Sequence, residues 1–449
     1  MLSAVFSGHR NFVIGAVFAI LILSSLAFQV ARRRSDRPWM YAALTASVAV
    51  EVSLTIFFPG GAGITGQCAI NRRITEPFAT EQGLLNLAMF LPVGLFGILA
   101  IRRLVPVIAG GVLLSLVTET IQATAAWVGR NCDSSDVQMN SLGALTGALL
   151  GWAILLLGKK SLAPWRDGLK VTAVVGGSLL LVTGTVWKLW ITPLAVDATS
   201  LQIASSNEQR AAESALREAF GDRYRIAKVQ LQPGTHGASD MLLITLDEGF
   251  AELSWPDQEQ LMVSLESTSE PGPSSFPVKG STAAPKDADG ALAIATRYAK
   301  ERFPWGLRGS EPTVHPVGDD AAFGWMVNWR SQADGVLMPM RLDIQVNRSG
   351  RISQLLTRKV DSPIQLPDRR VPEERAAAAA QKLYASAPQV QVGRGNLLAV
   401  RRGAEWRVQW LIPVTVAEDE VYPVYVDAES GRVDESATPE QGLAVEPEN

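Results

Sequence analysis

Six runs of predominantly apolar residues constrain this chain more than any other feature: 11–31, 39–58, 83–101, 104–127, 139–158 and 169–190. Each approaches the roughly 20 residues that an α-helix needs to cross about 30 Å of hydrocarbon. A chain with six such runs in its first 190 residues has one economical solution, a bundle of six transmembrane helices. The first run is too long for the apolar segment of a signal peptide, and no small-residue cleavage pattern closes it. Arg32, Arg33 and Arg34 follow directly, so it reads as a retained span.

Orientation follows from the basic residues, which stay on the cytoplasmic side. Arg32, Arg33, Arg34 and Arg37 fall in the first connection, Arg102 and Arg103 in the third, and Lys159, Lys160 and Arg166 in the fifth. The alternate connections hold only Arg72, Arg73 and Arg130. The N-terminus, loops 59–82 and 128–138, and everything after 190 are therefore expected outside. Trp127, Trp187 and Trp190 would then mark the outer interface, and Trp39 and Trp165 the inner one. The two cysteines, Cys68 and Cys132, both lie in outer loops, where oxidising conditions permit a bridge; two free thiols are the alternative.

Beyond residue 190 the composition changes to that of a soluble α+β domain. Laying 291–352 on 372–433 exposes a repeat at a shift of about 81 residues. Trp325, Val327 and Trp329 fall on Trp406, Val408 and Trp410, Phe303 on Tyr384, and Ser349-Gly350-Arg351 on Ser430-Gly431-Arg432. Each copy reads as a helix, strands with Trp-x-Val-x-Trp on one face, and a hairpin closed by Gly. The tryptophans fit strand-face packing better than ligand stacking. A third copy over 206–266 has the helix and strands but lacks the tryptophans. The expected division is a membrane domain over 1–190, an α+β unit over 191–267, a Pro/Ser/Gly-rich linker over 268–287, a repeat over 288–362, and a second repeat with its tail over 363–449.

Depth along the spans gathers the polar residues at the outer end. Glu119 and Gln122 share a face of span four, and Glu51 lies at similar depth in span two. Asn86 begins span three, Asn140 begins span five, and Arg130, Asp133 and Asp136 occupy the short loop before span five. An ionisable group at membrane depth is costly and by default faces a partner or a watery cavity. Glu119 therefore reads either as interhelical glue, paired with Gln122, Asn86 or Asn140, or as part of a site for an envelope molecule. Arg130 with Asp133 and Asp136 reads equally as a loop-ordering salt bridge. The stripe Gly143, Gly147, Gly151 suits close helix packing.

At these residues the chain resembles the VanZ-like family of membrane proteins. The matching elements are Asn86-Leu-Ala-Met-Phe90-Leu-Pro92-Val-Gly94, Glu119-Thr-Ile-Gln122, and Arg130-Asn-Cys-Asp133-Ser-Ser-Asp136-Val-Gln-Met-Asn140-Ser-Leu-Gly143 with Gly147, together covering about 39–158. The resemblance implies a helical-bundle protein of the bacterial envelope, with a named relative that lowers susceptibility to the glycopeptide teicoplanin. The C-terminal repeats resemble PepSY or YcdB-like units through the helix ending near Phe303 or Tyr384 and the turn at 426–433, which implies an exported binding or regulatory module.

A net charge of −3 gives no basic surface for nucleic acid. His9, His236 and His315 stand far apart, so neither a zinc site nor a His-based triad is supported, and no Walker, Rossmann or kinase motif occurs. No cofactor is expected. Two readings remain: a non-enzymatic envelope protein that binds a lipid-linked or cell-wall component at the outer cluster, and a membrane-surface enzyme acting on a lipid headgroup with Glu119 as acid or base and Arg130 holding phosphate. A transporter is disfavoured, since the inner half of the bundle is almost free of polar residues.

Overall fold

The computed structural model describes residues 9–58, 66–128, 130–164, 166, 168–234, 239–266, 274–281, 283–360, 364–385, 390–402, 405–417 and 420–434. Trp165, His236 and the start of the expected linker, 268–273, lie outside the described residues. The chain divides into two compact units, one ending at Ile203 and the other beginning at Ala204.

Among the described residues of the first unit, six helices are long and apolar enough to span a membrane. They are α1 (Arg10–Ala31), α2 (Pro38–Val52, continued by a π-turn over Ser53–Phe57), α3 (Glu81–Ile101), α4 (Leu104–Thr124), α5 (Ser134–Leu157) and α6 (Leu169–Trp190). The closest pair is α3 with α5. A Cβ on Gly143 or Gly147 would collide with the carbonyl of Leu87 or Leu91, and a Cβ on Gly94 with that of Ala144. Only hydrogen at these positions lets the two backbones touch, which is what small residues do for helices in lipid.

The same ends of the bundle are tied by a parallel three-stranded patch. Here β1 (Gln67–Asn71) is central, flanked by β2 (Cys132–Asp133) and β3 (Thr192–Val196). Cys68 stands opposite Cys132 in the register and the two form a disulfide, Cα to Cα 4.6 Å. A short β4 (Gln202–Ile203) follows, bridging Thr80. The connections after α2, after α4 and after α6 therefore meet at one end.

The second unit is a sheet with helices. After α7 (Ser206–Phe220), closed at its start by a Ser205/Glu208 capping box, come β5 (Ile226–Gln232), β6 (Asp240–Leu246), β7 (Phe250–Trp255) and β8 (Gln260–Ser264), an antiparallel meander. After a short β9 (Phe276–Pro277) comes α8 (Ala288–Arg302), which leads into a second meander. Its strands are β10 (Ser310–Pro316), β11 (Trp325–Ala333), β12 (Val336–Val346) and β13 (Arg351–Arg358). The two meanders are not beads on a linker, because β13 pairs antiparallel with β8 and the sheet runs on through both. One core serves them: Leu216 and Phe220 of α7 and Ala295 and Tyr298 of α8 pack with Leu242, Leu253, Val263, Val327, Ile344 and Leu355. The Tyr298 hydroxyl donates to the Ala219 carbonyl at 2.9 Å, locking one helix to the other.

The last segment repeats the order: α9 (Glu373–Leu383), β14 (Gln391–Val392) and β15 (Asn396–Arg402), then β16 (Glu405–Ala417) and β17 (Glu420–Asp427). Both β14 and β15 pair with β16, so together they hold the place that β10 holds beside β11. It has its own core of Ala376, Ala380, Tyr384, Ile412, Val414, Val424 and Val426. The tryptophans are packing residues. Trp329 is buried, Trp325 lies against the shared core, and the Trp410 indole donates to the Val371 carbonyl at 2.9 Å. Gly350 and Gly431 close their hairpins at φ near +75°, a conformation that favours glycine.

Candidate functional site

The patch end of the bundle carries the polar residues, and helix boundaries decide how they meet. α5 begins at Ser134 rather than near Asn140, because Asp133 is its N-cap: one carboxylate oxygen accepts from the Ser135 N–H at 2.7 Å. Asp136 therefore sits in the first turn of α5 and Asn140 two turns in, not in a loop or at a helix start. α4 ends at Thr124, which puts Glu119 five residues from the last helical residue, about 7.5 Å at 1.5 Å per residue. α3 begins at Glu81 behind the Thr80 cap, so Asn86 lies more than a turn inside.

Glu119 is 1% exposed, and its carboxylate accepts the Asp133 backbone N–H at 2.8 Å. No bond joins it to Gln122, Asn86 or Asn140 among the described residues. The bond that Glu119 makes runs instead from α4 to the N-cap of α5. Gln122 donates through Nε2 to the Thr55 carbonyl at 3.2 Å, in the π-turn that ends α2. Such a turn shifts the backbone register and frees carbonyls for side-chain donors.

Glu51, fully buried, accepts from the Thr118 hydroxyl at 2.9 Å and the Thr55 hydroxyl at 3.3 Å, both at Oε1. Asn140 donates to Ser115 Oγ at 3.0 Å. These two residues tie helices together and do not line the opening described next.

A cavity of about 350 Å³ opens at this end, and its walls include Gln82, Gln122, Arg130, Asp133, Asp136 and Thr199. Both carboxylate oxygens of Asp136 accept from Gln82 Nε2 at 3.1 Å, and Asn86 reaches the same carboxylate. The Ser200 hydroxyl in turn donates to Gln82 Oε1 at 3.1 Å. Arg130 is exposed, its guanidinium 5.9 Å from the centre of the Phe58 ring. Among the described residues it makes no ion pair with Asp133 or Asp136, so the expected loop salt bridge is absent. An exposed guanidinium has little to gain from closing on a carboxylate that amide donors already hold.

Two contributors escape sequence reasoning. Gln82 orients Asp136 across 54 positions of chain. Glu76 is buried, accepting from Asn71 Nδ2 at 2.7 Å and from the Ser200 N–H at 3.3 Å, and thereby braces the connection behind the cavity. The available signal for Gln82 is the Thr80 cap, which places it one turn before Asn86 on the same face.

No curated protein matches the chain. Residues 12–156 match the model of the VanZ/LLP1 family, a span that contains Glu51, Asn86, Glu119, Gln122, Arg130, Asp133, Asp136 and Asn140. Residues 12–156 of this multi-pass membrane protein therefore form a VanZ-like domain.

Proposed function

We propose that this VanZ-like domain is a non-enzymatic binding protein of the bacterial envelope, holding a lipid-linked or cell-wall component in the cavity between Arg130, Asp133, Asp136 and Gln122. The observation that carries the reading is the cavity itself: about 350 Å³, with carboxylates, amides and a guanidinium unpaired with either aspartate. Ligand sites combine such space with a few fixed polar groups. The excess of Lys and Arg in the alternate connections supports an outward-facing cavity. The C-terminal unit is then exported, as a PepSY-like module that contacts wall or partner proteins.

Reaction at a lipid headgroup with Glu119 as acid or base has less support. That carboxylate accepts from the Asp133 N–H and does not line the cavity.

The test is binding of a lipid-linked cell-wall precursor, and separately of teicoplanin, to the full chain in detergent, followed by native mass spectrometry. Ala198→Trp, which fills the cavity from its wall, is expected to lose at least one of these ligands while keeping its thermal stability. Equal capture by wild type and variant would remove the cavity from the binding site.

A further inference from the structure

We infer that the cavity is built for a primary ammonium carried beside an oxyanion, the chemistry of an aminoalkyl phosphate; this rests on the cavity being the binding site proposed above. The acceptors come first. Gln122 is 3% exposed, and its Nε2 is committed to the Thr55 carbonyl, which fixes where Oε1 points. That oxygen has no partner among the described residues. Gln122 is among the residues that line the cavity, and a buried amide oxygen without a donor is an unfilled requirement.

Asp133 and Asp136 line the same cavity, and no Lys or Arg pairs with either among the described residues. Their bonds come from neutral donors, the Ser135 N–H for Asp133 and the Gln82 and Asn86 amides for Asp136. Three acceptor groups, two of them acids, suit a group with three N–H donors and a positive charge. The Arg130 guanidinium at the same wall offers a planar fork to phosphate or carboxylate oxygens.

Other cations fit less well. A quaternary ammonium has no N–H to give and is recognised by aromatic faces, yet the lining includes no aromatic ring among the described residues. A divalent ion such as calcium takes about six to eight oxygens, and no cluster of three or more His, Cys, Asp or Glu side chains suited to a metal occurs among the described residues.

The experiment titrates the full chain in detergent with phosphatidylethanolamine, phosphatidylcholine of the same acyl chains, and soluble phosphoethanolamine. Phosphatidylethanolamine is expected to bind at least about tenfold tighter than phosphatidylcholine, the effect of one desolvated charge-assisted bond. Asp136→Asn and Gln122→Leu should each erase most of that ratio. Arg130→Gln should weaken both lipids alike and leave the ratio in place. Soluble phosphoethanolamine binding as tightly as the lipid would support the inference with a free compound as source; preference for the diacyl form would support it with the bilayer as source. Phosphatidylcholine binding as well as phosphatidylethanolamine, or a ratio that survives in both Asp136→Asn and Gln122→Leu, overturns it. If the lipid-linked precursor still binds in that case, the proposed function stands alone; if nothing binds, both fall.

Discussion

Glu119 can be made to separate structural from chemical duty. Its carboxylate is the acceptor for the Asp133 N–H at 2.8 Å, and that residue caps α5. Glu119→Ala leaves a buried N–H without its acceptor, for which soluble proteins lose about 1–3 kcal/mol. Interhelical bonds in membranes average nearer 0.6 kcal/mol and reach about 1.7, because the unfolded chain in lipid also finds partners. The Asp133 N–H is main-chain and sits where a helix begins, so the upper part of that range applies, about 1–2 kcal/mol. This is roughly a five- to thirtyfold change in the folded ratio. Glu119→Gln keeps an oxygen in the same place and should stay within about 0.5 kcal/mol of wild type. The assay is thermal unfolding of the full chain in detergent, read by tryptophan fluorescence, beside ligand binding. Equal destabilisation by Gln and Ala would refute the hydrogen-bond account. A turnover present in wild type and lost in Glu119→Gln, with binding intact, would make Glu119 catalytic.

The remaining expectations are more local. Opening the Cys68–Cys132 bridge, across a separation of 64 residues, should cost about 2–4 kcal/mol by loss of chain restriction; a thiol reductant should then lower the melting temperature of wild type but not of Cys68→Ser. In a cysteine-free background, Trp127→Cys should react with an impermeant maleimide on intact cells and Lys160→Cys only after permeabilisation; the reverse pattern sinks the proposed orientation. Gly147→Leu should destabilise by about 1–3 kcal/mol or more, since a Cβ there meets the Leu91 backbone, whereas Gly177→Leu has open space and should be tolerated. Asp427 predicts a pH dependence in the C-terminal unit. Burial opposes its ionisation, but the Ser430 N–H and hydroxyl, the Glu429 N–H and the nearby Arg407 outweigh it and hold the carboxyl below its ordinary 3.8. A depressed folded value gives stability that is present above 3.8 and lost as pH falls through the folded value. Asp427→Asn should therefore flatten the acid limb of the unfolding curve, and an unchanged limb would assign it to other carboxyls.

Much of this protein is legible in its order of residues because the physics is local. A span is declared by about 20 apolar neighbours in a row, and all six appear in the structure within a few residues of where hydropathy puts them. The glycine stripe of α5 declares a close contact for the same reason, and two cysteines in loops on one side of the membrane already suggest the bridge. The gathering of Glu119, Gln122, Asp133 and Asp136 toward one end of the bundle follows from counting along helices. Tertiary structure alone decided what each polar group touches. Glu119 bonds a main-chain N–H 14 positions away, and Asp136 is oriented by an amide 54 positions back. It also decided that Arg130 stands free of both aspartates, that Glu51 and Asn140 serve helix contacts away from the cavity, and that the first two α+β segments share one sheet through β8 and β13. Periodicity reports which face of a helix or strand is apolar. It carries no information about which distant donor will satisfy a buried oxygen, since that choice depends on the geometry of the whole bundle.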